Sequence, residues 1–151
     1  MRNTSKNARG ALGIFSLGPL VLVGALALAG CGTTFAMVRG DSVPGARGEV
    51  DASFEKEGNS KMKLKVQHLP AASELNPQAT TYVVWVKPKN DKADTKAQNV
   101  GTLKVDPTDL DGELEFTTAY RTFDITVTPE ANGEVTVPSG RDVLKAQISA
   151  E

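Results

Sequence analysis

His68 is the single histidine of the chain and Cys31 the single cysteine. Any Ser-His-Asp system would have to be built on His68, because a serine hydroxyl needs a base that titrates near neutrality. His68 ends a run in phase with Met62, Leu64 and Val66 and precedes Leu69-Pro70, a placement that suits a hydrogen-bonded structural histidine. Copper of the cupredoxin kind takes two histidines and a thiolate, and catalytic zinc takes three protein ligands, so one histidine and one thiol build neither site. Oxygen ligands are densest at Asp106, Asp109, Asp111 and Glu113, which raises calcium. In an EF-hand register with Gly112 as the loop glycine, however, Pro107 takes the first ligand position and Thr118 the position of the bidentate Glu. Asp and Gly also form turns on backbone grounds alone, so a plain turn is the expectation. Glu113 and Glu115 are two apart and share the wet face of a strand, opposite Leu114 and Phe116, instead of flanking a glycosidic bond. No glycine-rich loop follows a strand and opens a helix, which leaves nucleotide binding without support.

These side chains sit on a chain dominated by period-two alternation. Val50, Ala52 and Phe54 alternate with Asp51, Ser53 and Glu55. After the turn at Glu57-Gly58-Asn59-Ser60, Met62, Leu64 and Val66 alternate with Lys61, Lys63, Lys65 and Gln67. This predicts strands with one buried and one wet face, the lysines blunting an exposed edge. Leu69 to Thr80, with Pro70 and Pro77, reads as a crossing loop. Tyr82-Val83-Val84-Trp85-Val86 is apolar on both faces and predicts a central strand. Lys87 to Gln98 is a polar loop and the expected contact surface, together with a sheet edge. Asn99 to Val105 resumes as a strand in which Gly101 marks a bulge or close contact. Asp106 to Gly112 turns, and strands carry Leu114 and Phe116, then Phe123, Ile125 and Val127. Further turns fall at Pro129 to Gly133 and at Pro138-Ser139-Gly140. A last strand, Val143 to Ile148, points Leu144, Ala146 and Ile148 inward. About seven short strands without helical periodicity predict an all-β fold, an immunoglobulin-like antiparallel β-sandwich. Its expected core is Tyr82, Trp85, Phe116 and Phe123, with Trp85 beneath the two sheets.

The first thirty residues differ in kind. Arg2, Lys6 and Arg9 are their only charges, an apolar stretch runs from Ala11 to Ala29, and Leu28-Ala29-Gly30-Cys31 follows. A basic start, an apolar middle and small residues at a cut site mark a secretory signal. Leu28-Ala29-Gly30-Cys31 resembles the lipobox of bacterial lipoproteins. That resemblance implies a diacylglyceryl group on the Cys31 sulfur, cleavage before Cys31 by a peptidase recognising Leu28, Ala29 and Gly30, and an N-acyl chain on the new terminus. The rival reading is an uncleaved spanning helix, for which Gly13, Gly18, Pro19, Gly24 and Gly30 are poor material. The organisation expected is a signal peptide over 1–30, a lipidated tether over 31–47 and the β-sandwich over 48–151. Glycine and proline resist regular structure in the tether. Its apolar run Phe35-Ala36-Met37-Val38 suits the bilayer surface or the domain equally. Lipidation would consume the only thiol, so no disulfide, thiolate ligand or cofactor beyond the covalent lipid is expected. With Arg2, Lys6 and Arg9 removed, 14 basic and 18 acidic residues remain. That mild acidity argues against nucleic acid as a partner.

A second resemblance rests on Tyr82-Val83-Val84-Trp85-Val86, Val100-Gly101-Thr102-Leu103, Gly112-Glu113-Leu114-Glu115-Phe116, Phe123 to Glu130 and Pro138-Ser139-Gly140. In that order, over about Glu49 to Ile148, they resemble the extracytoplasmic C-terminal domain of anti-sigma-K factors. Pro129-Glu130 reverses that family's Glu-Pro order, and nothing matches its sigma-binding domain or transmembrane helix. The resemblance therefore implies the sandwich and not sigma-factor regulation. The function expected is a non-enzymatic, lipid-anchored interaction or sensing module with an envelope protein partner. The alternative is a structural envelope protein or a subunit of a surface assembly. The location expected is the cell membrane or the outer membrane. Gly32 in place of Asp after the lipidated cysteine favours the outer one where it exists.

Overall fold

The computed structural model describes residues 32–89 and 95–150. The signal-peptide residues Leu28, Ala29 and Gly30, and Cys31 itself, lie outside the described residues. The alternating segments form strands as their period demands. β3 (Arg47–Ser53) and β4 (Ser60–Gln67) make a hairpin around Gly58, whose φ of +90° is backbone that glycine adopts without cost. β5 (Thr81–Pro88) and β6 (Gln98–Val105) make a second hairpin. β7 (Gly112–Thr118), β8 (Thr122–Glu130) and β9 (Leu144–Ser149) complete the set. Along β9 burial alternates strictly, with Leu144, Ala146 and Ile148 inside. The 68–80 crossing holds one short helical turn, α1 (Ala72–Leu75).

With β1 (Gly32–Ala36) and β2 (Val38–Arg39) ahead of them, the strands of the described residues pair antiparallel in the order β1-β3-β4-β7-β6-β5-β8-β9-β2. Two layers result, β1-β3-β4-β7 and β6-β5-β8-β9-β2. They are joined where the end of β6 bends to pair Lys104 with Glu113 and Val105 with Gly112. The fold is thus the expected antiparallel sandwich of immunoglobulin-like type, with nine strands among the described residues where about seven were expected. Gly101 does mark a bulge: Val84 pairs with Gly101 but Trp85 with Asn99, leaving Val100 unopposed. The core between the layers includes Leu64, Tyr82, Val84, Phe123, Ile125 and Leu144. Tyr82 and Phe123 take their expected places, whereas Phe116 is only half-buried on β7 and packs at the core's margin.

The expected tether is corrected. β1 (Gly32–Ala36) pairs along β3 from Gly32–Ser53 to Ala36–Glu49, and β2 (Val38–Arg39) crosses to pair with β9. Between them the Met37 amide donates to the Gly48 carbonyl at 2.8 Å. Phe35 and Met37 pack on the core, so the apolar run docks on the domain. One continuous arm thereby bridges the two layers along their open side. Partner strands supply the hydrogen bonds that local sequence does not advertise.

The lysine face is corrected too. β4 lies between β3 and β7, and its lysines guard no edge. Lys63 Nζ stands 3.0 Å from both Glu113 and Glu115, and Lys65 Nζ stands 2.7 Å from Asp51. Hydrogen bonds to the two glutamates raise the Lys63 ammonium above its ordinary value, and the bonds from Lys65 and Thr34 hold Asp51 below its own. This ladder is solvated, and its pairs set strand register more than stability.

Candidate functional site

Trp85 is fully buried, but not between the sheets. Strand parity sends Tyr82, Val84 and Val86 into the core and turns Val83 and Trp85 to the opposite face, outside the core cluster. The irregular segment 131–142 folds back over that face as a strap. Its Gly133 and Val135 carbonyls each accept from Asn99 Nδ2 at 2.9 Å, and Asn99 lies opposite Trp85. Trp85 Nε1 donates to Thr128 Oγ1 at 2.8 Å, and that hydroxyl donates to Glu130 Oε1 at 2.6 Å.

Glu130 is the chemical centre of this layer. Its side chain is fully buried with no cation against it among the described residues. The strap supplies the missing partners: Ser139 N at 2.9 Å and Gly140 N at 3.2 Å both donate to Oε1, and Ser139 Oγ donates to Oε2. Burial by itself pushes the carboxyl up, but the bonds from Ser139, Thr128 and Gly140 outweigh it and hold Glu130 below its ordinary value. Gly140 is required at this point, since a Cβ would stand 2.3 Å from the Pro129 carbonyl oxygen. Ser139 with Glu130 is a hydroxyl on a carboxylate, but a carboxylate so stabilised is a weak base. Its geometry fastens the strap. Sequence reading missed Glu130. The available signal was an acid at the buried end of an alternating strand, followed by a Pro-Ser-Gly turn.

The candidate triad and metal residues fall elsewhere. His68 is exposed with φ of +55°, in the left-handed region, which turns its side chain out of phase with Met62, Leu64 and Val66. That corrects the expectation of a hydrogen-bonded structural imidazole; the contact made here is the His68 backbone amide to Asp111 Oδ1 at 3.4 Å. Replacing His68 by glycine should raise stability by about 0.5 kcal/mol, relieved left-handed strain less glycine's larger unfolded-state entropy. A lower melting temperature for His68→Gly would show that the ring holds a contact worth more than the strain. Asp106 spends Oδ1 on the amides of Thr108 (2.7 Å) and Asp109 (3.2 Å), which hold its carboxyl below the usual value. Among the described residues no three His, Cys, Asp or Glu side chains converge as a metal site. Glu113 and Glu115 meet Lys63, as a solvated strand face requires.

A cleft of about 1110 Å³ opens at the end of the sandwich where the arm, β3, β4 and the 104–113 turn meet. Met37, Ala46, Val66 and Val105 contribute apolar wall. Arg39, Arg47 and Lys104 line it without an ion-pair partner among the described residues, beside Glu49, Asp111 and Glu113. Its lining thus sets cations and carboxylates around an apolar wall. Sequence reading missed it because its basic residues come from three separated segments. Comparison with family models, characterised proteins and solved structures returns no match.

Proposed function

We propose that this chain is a bacterial lipoprotein whose β-sandwich serves in the cell envelope as a non-enzymatic interaction or sensing module, held on a membrane by lipid on Cys31. The observation that carries the reading is the sequence Leu28-Ala29-Gly30-Cys31 behind a basic and apolar leader. Diacylglyceryl and N-acyl chains together exceed what stable anchoring needs, whereas one acyl chain binds reversibly. The contact surface proposed is the cleft bordered by Arg39, Arg47 and Lys104, whose cations are free to meet a partner's acidic groups. Of the 87–98 loop, favoured on sequence grounds, the described ends lie at the opposite end, where Pro88 pairs with Phe123 and Gln98 with Val86. Lys89 there is engaged by Asp124 (3.3 Å) and Gln147 (2.7 Å), while residues 90–94 lie outside the described residues.

Cys31→Ala in the full precursor tests the anchor. Membrane fractionation should move the protein from the membrane to the soluble or precursor pool, and mass spectrometry of the native protein should find the lipid mass on a chain starting at Cys31. An unmodified Cys31, or an intact Met1 start in the main species, overturns the reading.

A further inference from the structure

The arm leaves no room for a tether. β1 starts at Gly32, the residue after Cys31, and Gly32 already pairs with Ser53. Consecutive Cα atoms are about 3.8 Å apart, so a lipid on Cys31 enters the bilayer within one residue of a folded strand. Ser53 closes β3 at a defined end of the sandwich. Arg121 there donates to the Glu55 and Lys56 carbonyls, Ala150 N bonds Arg121 O at 2.8 Å, and Lys89 N bonds Thr122 O at 3.0 Å. The 54–59 turn, the 119–121 turn, the start of the 89–97 loop and the end of β9 therefore form one face. Lys56 and Glu57 on it are exposed, charges of both signs that suit headgroups and not acyl chains.

We propose that this end face, carried by the 54–59 and 119–121 turns, lies against the lipid headgroups, and that the sandwich stands on the membrane with its cleft directed away. The inference rests on lipidation of Cys31. It adds an orientation and a lipid-facing surface that the anchor alone does not specify. β4 runs eight residues from this face to the cleft end. At about 3.3 Å per residue the far wall of the cleft, at Val66 and Gln67, is therefore lifted roughly 20 Å above the headgroups, where an envelope partner reaches it.

The test uses the lipidated full chain in phosphatidylcholine vesicles that carry a nitroxide on the headgroup. A fluorophore is attached through Glu57→Cys at the proposed membrane face or through Asp109→Cys at the cleft end. Once Cys31 is a thioether, each variant has one free thiol. Quenching at position 57 should exceed that at position 109 several-fold. Ten glycine and serine residues inserted between Cys31 and Gly32 should bring the two positions close to equality. With lipid confirmed on Cys31 by mass, equal quenching at both positions, or stronger quenching at 109, overturns the orientation and leaves the lipoprotein reading intact. A difference that survives the linker overturns the claim that the strand's start sets the orientation. A protein without lipid on Cys31 overturns both.

Discussion

Trp85→Ala should lower the free energy of unfolding by about 4 kcal/mol, a quarter or more of what a domain of this size typically has. The indole fills the space between the outer face of β5 and the 131–142 strap, and it is fully buried there. The strap has no helix or strand of its own, so it has little to collapse with when the ring is removed. The substitution also ends the 2.8 Å bond to Thr128. Trp85→Phe keeps most of the packing and gives up the bond, for a loss of about 1–2 kcal/mol. Chemical denaturation followed by far-ultraviolet circular dichroism measures both, since Trp85 is the only tryptophan and its fluorescence goes with it. A loss under about 1 kcal/mol for Trp85→Ala would contradict burial beneath the strap.

Glu130→Ala should cost about 3 kcal/mol, because it leaves the Thr128 and Ser139 hydroxyls and the Ser139 and Gly140 amides without their common acceptor. Glu130→Gln keeps one carbonyl oxygen and should cost about half as much. The pH dependence separates charge from shape. The folded carboxyl is held below its ordinary 4.5, so its stabilisation is fully present above pH 4.5 and is lost as pH falls through the folded value. The stability difference between the natural protein and Glu130→Gln should therefore be constant from neutrality to about pH 5 and shrink below it. Asp51 and Asp106 are also depressed and act in the same direction, but they titrate identically in both proteins and cancel in the difference. A difference that grows on acidification would mean that Glu130 is protonated in the fold and acts as a donor.

The strap and the arm make the domain one unit. The arm bridges the two layers along one side, and the strap covers the outer face of the central strand. The arm is extended and the strap is a series of bends and turns, and neither has a hydrophobic period of its own. A change at Glu130 or Trp85 loosens the strap while the core of Leu64, Ile125 and Leu144 stays packed. Such variants should keep their strand signal while losing thermal stability.

The alternation of Met62, Leu64 and Val66, the apolar run at 82–86 and the turns at Gly58 and Asp106 to Gly112 were legible because each rests on neighbours within a few residues. Period two fixes which side chains share a face, and a left-handed glycine fixes where the chain reverses. The sequence by itself determined the strands β3 to β9, the sandwich class and the motif at Cys31. It left open which apolar face of β5 meets the core. Parity places Val83 and Trp85 together, but only the fold shows that a strap, not a second sheet, covers them. Nor did it reveal the arm, since Gly32 to Arg39 becomes β-structure only by pairing with Ser53 to Glu49 on one side and Lys145 and Leu144 on the other. Glu130 is likewise decided by tertiary structure, because a carboxylate stays buried and charged only when donors nine and ten residues away fold back onto it. Local periodicity is written in adjacent residues, whereas satisfying hydrogen bonds across the chain is a property of the closed fold.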